Sequence, residues 1–222
     1  MKKKLLILCS GSGTNAKAII ESLKGTDIEV TIGCNVNDAG VWELLKGEEI
    51  VDLSSPNDEF AVLEEFLKNN EFDLIALAGY MRILPPHIVA LIAGKAINIH
   101  PSLLPKYKGS KDAYANAFNA GDKIIGCTVH VVTDEVDGGD ILTRVEFELP
   151  DKVTTLEEMK KLGLKFEHRL YPTTIRRIML GEDSPINLFD DIEDFLGCYS
   201  MESFIPSNGE FLSLSGIAKI QF

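Results

Sequence analysis

The chain has 222 residues, of which 45% are hydrophobic and 25% are charged. This composition is ordinary for a globular protein with one core, or one core plus an appendage. The formal net charge of -12 argues against a duplex-binding surface, because phosphate contacts need clustered lysine and arginine. The sequence shows no apolar run that approaches the roughly 20 residues needed to cross a bilayer. We therefore predict no nucleic-acid partner and no membrane association.

The four cysteines are widely spaced, with no Cys-x-x-Cys pair. This spacing predicts buried free thiols in a reducing compartment. The lysine-rich start is followed by an apolar run over residues 5–9 that stops at Ser10, short of the roughly 7–15 residues of a secretory core. The sequence therefore predicts a cytoplasmic protein.

The first element is a buried strand over residues 5–9, because a continuous apolar run is typical of a parallel strand covered on both faces. A glycine-rich turn from Ser10 to Asn15 follows, and residues 16–23 have helical composition. Such a turn leaves backbone N–H groups free at a helix N-terminus, where an anion is stabilised. The turn lacks the third glycine of a dinucleotide site and the Gly-Lys-Ser/Thr of a P-loop. It fits a monophosphate better than a pyrophosphate, with tight-turn glycines as the alternative.

Strands and helices continue to alternate after this turn. We predict strands at 28–34, 50–53, 72–80 and 96–100, and helices at 39–45, from Asn57 or Asp58 to Lys68, and from Pro85-Pro86. A β-α repeat of this kind predicts a mostly parallel, Rossmann-like open sheet with helices on both faces.

The second half departs from this repeat. A helix capped by Asp112 precedes strand-like segments at 124–133 and 141–149, whose glycine-containing connection predicts an antiparallel excursion. A long helix capped by Thr154 or Thr155 then runs to Gly181. We predict a catalytic domain over residues 1–181 and an acidic extension over 182–222, with amphipathic character at 186–195 and short strands in 211–222. The extension is open to interpretation as a C-terminal hairpin or as a homodimer contact.

The strand over residues 96–100 carries the most informative pair of polar side chains. Asn98 and His100 are two residues apart, so they share one face of the strand, and Pro101 ends it. Open α/β sheets bind ligands at the carboxyl ends of their strands. The pair therefore predicts a functional site, and a polar strand end that bonds a neighbouring loop is the alternative.

Three elements are expected to converge at this edge of the sheet: the Gly11–Asn15 turn, the Asn98/His100 pair and the loop that contains Asp137. A carboxylate beside an imidazole favours its cation and raises its pKa. An imidazolium next to a carboxamide suits oxyanion stabilisation and proton delivery to a nitrogen leaving group. The histidines lack metal-ligand spacing, so we predict no metal. His130 is interpreted as a core or edge histidine, with an active-site role as the alternative.

The stretch from Asn98 to Pro105, with Lys106–Gly109 behind it, resembles the signature of the folate-dependent formyltransferases. Residues 10–15, 78–84, 132–139 and 167–172 agree with that family in order and spacing. The resemblance covers about residues 4–180 and is strongest to the members that act in purine synthesis. It implies the formyltransferase fold and two small-molecule substrates. The implied reaction moves the formyl group of 10-formyltetrahydrofolate to the amine of 5'-phosphoribosylglycinamide.

The resemblance also implies roles for individual residues. Asn98 would hydrogen-bond the formyl oxygen, His100 would move the proton, and Asp137 would orient His100 and raise its pKa. The phosphoribosylglycinamide site would contain Gly13, Thr14, Asn15 and Glu167, the last at the glycinamide end. The 10-formyltetrahydrofolate site would contain Met81, Arg82, Ile83, Leu84, Asn98, Thr133, Asp134, Glu135 and Asp137.

The sequence departs from the family at two places. Residues 54–67 contain no lysine or arginine, although the family usually places a ligand-contacting arginine there. Where a Pro-Gly-Leu-His run is common, the chain has Lys108-Gly109-Ser110-Lys111. We interpret these lysines as solvated, with electrostatic replacement of the missing histidine as the alternative. The alternative functions are a formyltetrahydrofolate hydrolase, a formyltransferase for an amino sugar or an aminoacyl-tRNA, and a catalytically silent binding module.

Overall fold

A computed structural model of the protein describes residues 2–55, 60–181 and 199–203. Its strands are β1 (Lys3–Cys9), β2 (Ile28–Cys34), β3 (Ile50–Asp52), β4 (Leu74–Leu77), β5 (Ala96–His100), β6 (Ile124–Val131), β7 (Ile141–Glu148) and β8 (Tyr199–Ser203). Its helices are α1 (Thr14–Ser22), α2 (Val41–Leu44), α3 (Ala61–Asn69), α4 (Pro86–Ile92), α5 (Ala113–Ala120) and α6 (Leu156–Leu180).

The strands form one sheet in the order β3-β2-β1-β4-β5-β6-β7-β8. The pairs from β3 to β5 are parallel, and the pairs from β5 to β8 are antiparallel. This confirms the predicted mostly parallel sheet with an antiparallel C-terminal excursion. The strand order reverses between β1 and β4, and such a switch point opens a crevice at the carboxyl ends of the strands.

Helices cover both faces of the central strands, so β1 is buried on both sides. Leu5, Ile7 and Cys9 belong to the larger core cluster with residues of α1 and α6. Leu6 and Leu8 belong to a second cluster with residues of α3 and α4. All five side chains have no exposed surface, which accounts for the continuous apolar run in the sequence.

Helix α6 covers the larger core cluster and begins at the predicted cap. Thr155 and Glu158 form a capping box, and Gly181 ends the helix with a φ of 68°. The hydroxyl of Tyr171 donates to the backbone carbonyls of Leu77 and Ile97. These contacts fix the helix against the middle of the sheet.

The C-terminal extension contributes one described strand, which the sequence did not predict. β8 pairs antiparallel with β7, with Tyr199 opposite Phe147 and Ser203 opposite Thr143. The predictions for residues 186–195 and 211–222, and for a cap at Asn57 or Asp58, lie outside the described residues.

Three cysteines, Cys9, Cys34 and Cys127, are buried and free, as predicted. In the described ranges, no helix combines the length and apolar character that crossing a bilayer requires.

Candidate active site

The site is built around the end of β5, where the parallel and antiparallel halves of the sheet meet. Asn98 lies opposite Leu77 of β4 and opposite His130 of β6. The side chains of Asn98 and His100 both reach Asp137, from the loop between β6 and β7. Asn98 Nδ2 is 3.4 Å from Asp137 Oδ1, and His100 Nδ1 is 3.2 Å from Asp137 Oδ2. The structure thus brings together the three side chains that the sequence proposed as a catalytic set.

The backbone of Asp137 is strained to deliver its carboxylate. Its φ is 50°, a left-handed conformation that non-glycine residues rarely adopt. Gly139 allows the loop to lie close to β6, because a Cβ there would lie 2.0 Å from the carbonyl oxygen of Val131. The backbone N–H of Gly109 donates to Asp137 Oδ2 over 2.9 Å.

Asp137 is an anion at neutral pH. Burial raises its pKa, but the hydrogen bond from His130, the charge of His100 and the Gly109 N–H outweigh burial and leave the pKa below its ordinary value. The site therefore contains a fixed negative charge beside His100.

His100 is buried between two oxygen acceptors. Its Nδ1 faces Asp137, and its Nε2 lies 3.1 Å from the backbone carbonyl of Tyr107, another residue in the left-handed region with a φ of 59°. Burial lowers the pKa of His100, Asp137 and the Tyr107 carbonyl raise it, and His130 lowers it, with a net decrease. The predicted upward effect of Asp137 is present, but the expected net increase is corrected because desolvation of the ring is larger.

His130 is part of this cluster, although the sequence favoured a core or edge role. It is 3% exposed, and its Nδ1 donates to the carbonyl of Val131 over 2.9 Å. Its Nε2 lies 3.2 Å from Asn98 Nδ2 and 3.5 Å from Asp137 Oδ1. Alternation along β6 could not reveal this contact, because it depends on the register that places His130 opposite Asn98.

The predicted phosphate turn leads directly into α1. Gly13 is the N-cap residue, with a φ of 77°, and has no side chain to cap the first N–H groups, which have no acceptor inside the helix. The turn is tied to the segment after β4, because Ser10 Oγ accepts from the N–H of Met81 over 2.9 Å. The geometry leaves a helix N-terminus suited to an anion.

Glu167 lies buried beneath this turn. Asn15 Nδ2 donates to Glu167 Oε2 over 2.8 Å, and the hydroxyl of Tyr114 donates to Oε1 over 2.8 Å. Burial raises the pKa of Glu167, and the two donors limit that increase. Asn15 Oδ1 is buried and has no hydrogen-bond partner in the described part of the chain.

The segments predicted to line a folate pocket follow β4 and β6 in the chain. Met81 and Ile83, two residues apart in the sequence, are large apolar side chains that are 76% and 73% exposed. Together they present apolar surface to solvent. Leu84 packs against the second core cluster. On the loop that carries Asp137, Thr133 Oγ1 donates to the carbonyl of Glu135.

Lys108 is not simply solvated. Its Nζ lies 2.6 Å from Glu135 Oε1, and its side chain is 31% exposed. This ion pair and the bond from Gly109 to Asp137 join the loop after β5 to the loop after β6. Over the described ranges, no group of three His, Cys, Asp or Glu side chains is arranged to hold a metal ion.

The fold and the site define a class: an open α/β protein with a carboxamide, an imidazole and a carboxylate at the end of a central strand, and with a glycine-rich turn at the N-terminus of its first helix. The profile of the family described as "Formyl transferase" matches residues 3–175. The chain belongs to the formyl transferase family.

Relatives and solved structures agree with this membership. The phosphoribosylglycinamide formyltransferase of Haemophilus influenzae is 36% identical over 185 residues, covering 78% of this chain and 86% of the relative. That of Bacillus subtilis is 36% identical over 188 residues, covering 80% and 95%. The crystal structure of phosphoribosylglycinamide formyltransferase from Anaplasma phagocytophilum is similar with a TM-score of 0.74 at 30% identity, covering 81% of this chain and 88% of that one.

Proposed function

We propose that this chain transfers the formyl group of 10-formyltetrahydrofolate to the amine of 5'-phosphoribosylglycinamide, a step of purine biosynthesis. The observation that carries the proposal is the convergence of Asn98, His100 and Asp137 at the end of β5, with contacts of 3.2 to 3.4 Å. It is supported by the names of relatives that the chain matches over most of their length.

The proposed chemistry is direct acyl-type transfer. The amine nitrogen forms a bond to the formyl carbon, the bond from that carbon to the folate nitrogen breaks, and one proton moves from the amine to the folate nitrogen. Asn98 donates an N–H to the formyl oxygen as it gains negative charge. Its present contacts to His130 and Asp137 are long, at 3.2 and 3.4 Å, which is common before a substrate tightens a site.

His100 carries the proton in this proposal. Because burial lowers its pKa, the neutral imidazole is available near pH 7 to take the proton that the amine loses. The Asp137 anion, 3.2 Å from His100 Nδ1, stabilises the imidazolium and keeps the ring oriented until the proton reaches the leaving nitrogen. These side chains supply both the proton transfer and the oxyanion stabilisation, so we propose no metal.

The two substrates would occupy neighbouring parts of the crevice. Backbone groups of Gly13, Thr14 and Asn15 would hold the phosphate at the N-terminus of α1, and Glu167 would contact the glycinamide end. The folate would lie against residues 81–84 and 133–137. The exposed Met81 and Ile83 side chains offer apolar surface for a flat heteroaromatic ring.

We also propose that residues 1–181 are the catalytic domain, in agreement with the family match over 3–175. The proposed location is the cytoplasm, with small-molecule substrates and no nucleic-acid partner. A homodimer is the assembly to test, by sedimentation of the full chain.

The test is turnover with a set of acceptors. Purified protein is incubated with 10-formyltetrahydrofolate and, in turn, 5'-phosphoribosylglycinamide, an amino sugar or no acceptor. We expect deformylated folate and formylated product in equal amounts with phosphoribosylglycinamide alone. Folate release without an acceptor would identify a hydrolase, and transfer to the amino sugar would assign a different substrate. Ligand-dependent thermal stabilisation with no turnover would identify a binding module. Each of these three results would overturn the proposal.

A further inference from the structure

A buried tyrosine contacts Glu167, a buried carboxylate that takes no part in the proposed proton transfer. The Tyr114 hydroxyl donates to Glu167 Oε1 over 2.8 Å. Tyr114 is 6% exposed and Glu167 is 5% exposed, so water contributes little to solvating this carboxylate. If a buried carboxylate loses a hydrogen-bond donor, water cannot replace that donor, and the carboxylate is destabilised by its full desolvation penalty.

The position of the tyrosine depends on a glycine one helical turn before Glu167. A Cβ at Gly163 would lie 2.1 Å from the Tyr114 hydroxyl oxygen and 2.3 Å from the ring carbon that bears it. The ring of Tyr114, on α5, therefore occupies the space that a side chain at position 163 of α6 would fill. Positions 163 and 167 lie four apart on the same helix face, which brings the hydroxyl directly to the carboxylate.

The second donor to Glu167 comes from the predicted phosphate turn. Asn15 Nδ2 bonds Glu167 Oε2, and this leaves Asn15 Oδ1 as a buried acceptor with no partner in the described residues. Asn15 donates to one carboxyl oxygen while Tyr114 donates to the other, and both oxygens accept readily only when Glu167 is ionised, because a carboxylic acid carries a proton on one of them. The orientation of the Asn15 amide, and so the position of its Oδ1, is therefore tied to the ionised form of Glu167.

We propose that Tyr114, seated against Gly163, is a positioning residue that keeps Glu167 ionised and so fixes the Asn15 amide at the phosphate turn. The inference rests on the proposed function for its effect on substrate binding, but the link between Tyr114 and Glu167 is tested without substrate. It assigns α5 a role in binding the phosphorylated acceptor, although α5 contains no residue predicted to contact it.

Within residues 2–55, 60–181 and 199–203, the groups facing Glu167 come from three elements: Asn15 on α1, Tyr114 on α5 and Cys127 on β6. Burial raises the pKa of Glu167 while Asn15 and Tyr114 lower it. Removing the Tyr114 hydroxyl must therefore raise that pKa further. A carboxylate whose folded-state pKa exceeds its unfolded value costs stability as the pH rises through that range and costs none below the unfolded pKa.

The experiment compares Tyr114→Phe with Tyr171→Phe, which also loses a buried hydroxyl but one bonded to backbone carbonyls. Urea unfolding is measured from about pH 4 to about pH 8 for both variants, alone and combined with Glu167→Gln. We expect the free energy of unfolding of Tyr114→Phe to fall further below that of wild type near pH 8 than near pH 4. The loss for Tyr171→Phe should be the same at every pH. When Glu167→Gln is added, the pH-dependent part of the Tyr114→Phe loss should disappear.

Steady-state kinetics supply the second readout. For Tyr114→Phe we expect the KM for 5'-phosphoribosylglycinamide to rise by about tenfold, the size of one hydrogen bond to a charged group, while the kcat and the KM for the folate change little. Gly163→Ala should reproduce this increase, because its Cβ displaces the hydroxyl.

The two hypotheses fail differently. An inactive wild-type protein would refute the proposed function and leave the unfolding comparison decisive for Tyr114. Equal pH slopes for Tyr114→Phe and Tyr171→Phe would overturn the positioning role. So would an unchanged acceptor KM in an active enzyme.

Discussion

At the scale of the residue, His100 experiences opposing influences. Burial disfavours its charge, while Asp137 and the Tyr107 carbonyl each favour it. A side chain that carries a proton must bind it and release it at similar cost in free energy. The opposing influences at His100 keep the free energies of its neutral and protonated forms close to each other. The strained backbones of Tyr107 and Asp137, with φ values of 59° and 50°, are the structural cost of holding both acceptors at the ring.

The lowered pKa of His100 predicts a pH-dependent stability. Below its ordinary pKa of 6.5 the unfolded chain binds a proton at this position more readily than the folded chain, so stability falls as the pH decreases. In urea unfolding, we expect the free energy of unfolding to decrease less for His100→Gln than for wild type when the pH is lowered from about 8 to about 5. His87→Gln, at an exposed position of α4, is the control. Parallel curves for His100→Gln and wild type would contradict this account.

The assigned roles also predict the cost of removing each side chain. His100→Ala and Asp137→Asn should each lower kcat on the order of 10²- to 10⁴-fold, because each removes general acid-base or charge-stabilising catalysis. The measurement is kcat with both substrates saturating, and His87→Ala should match wild type. Turnover near that of wild type for either variant would remove that residue from the mechanism.

Sequence reasoning found the catalytic candidates because their signals are local. The alternation that places Asn98 and His100 on one face, and the glycines after Asp137, are readable in the chain. The sequence offered an active-site role for His130 only as the alternative, and it gave no sign of the contact between His130 and Asn98 or of the Tyr107 carbonyl. The first depends on strand register and the second on a backbone conformation of the loop after β5, and neither leaves a trace in residue type.

At the scale of the element, the turn between β1 and α1 depends on one glycine. Gly13 has a φ of 77°, and a Cβ there would lie 2.6 Å from Val41 Cγ2. Gly11 has no atom within 4 Å of the corresponding position. Position 13 of the turn therefore requires a glycine, whereas position 11 has space for a larger residue.

This difference supplies a matched pair of substitutions. Gly13→Ala should destabilise the protein by about 1–3 kcal/mol, through left-handed strain and contact with Val41, and should raise the KM for the phosphorylated acceptor. Gly11→Ala should change both quantities far less. Urea unfolding and acceptor KM are the measurements, and equal effects from the two variants would contradict the model of the turn.

The loops beyond β5 and β6 are joined by the ion pair of Lys108 and Glu135, next to the bond from Gly109 to Asp137. Lys108→Glu should open this contact and speed hydrogen exchange of the Gly109 amide, with stability lowered by no more than about 1 kcal/mol. The charge-swapped pair Lys108→Glu with Glu135→Lys should restore protection. Lys160→Ala removes another ion pair, with Asp112, and should leave the Gly109 amide unchanged. Protection that persists in Lys108→Glu would show that the ion pair does not hold the loops.

The order of elements was predictable because each parallel strand is an apolar run and each helix that connects two parallel strands has an apolar face. β8 was not predictable. Residues 199–203 have no strong alternation, and their pairing depends on the free edge of β7, which only the assembled sheet defines.

At the scale of the whole molecule, the site exists because three connections end at one edge of the sheet. The β1–α1 turn brings the proposed anion site, β5 brings Asn98 and His100, and the β6–β7 loop brings Asp137. The parallel half supplies the crevice at the switch point, and the antiparallel half supplies the carboxylate. Net charge and composition predict only which classes of partner are disfavoured, whereas this convergence is what favours a reaction.

The most direct test follows the formyl carbon itself. 10-Formyltetrahydrofolate labelled with ¹³C in its formyl group is mixed with enzyme and 5'-phosphoribosylglycinamide, and the label is followed by NMR. We predict that the label appears in the formylated amine in an amount equal to the folate released. Label that appears as formate, or that stays on the folate while both substrates are bound, would contradict direct transfer at the Asn98, His100 and Asp137 site.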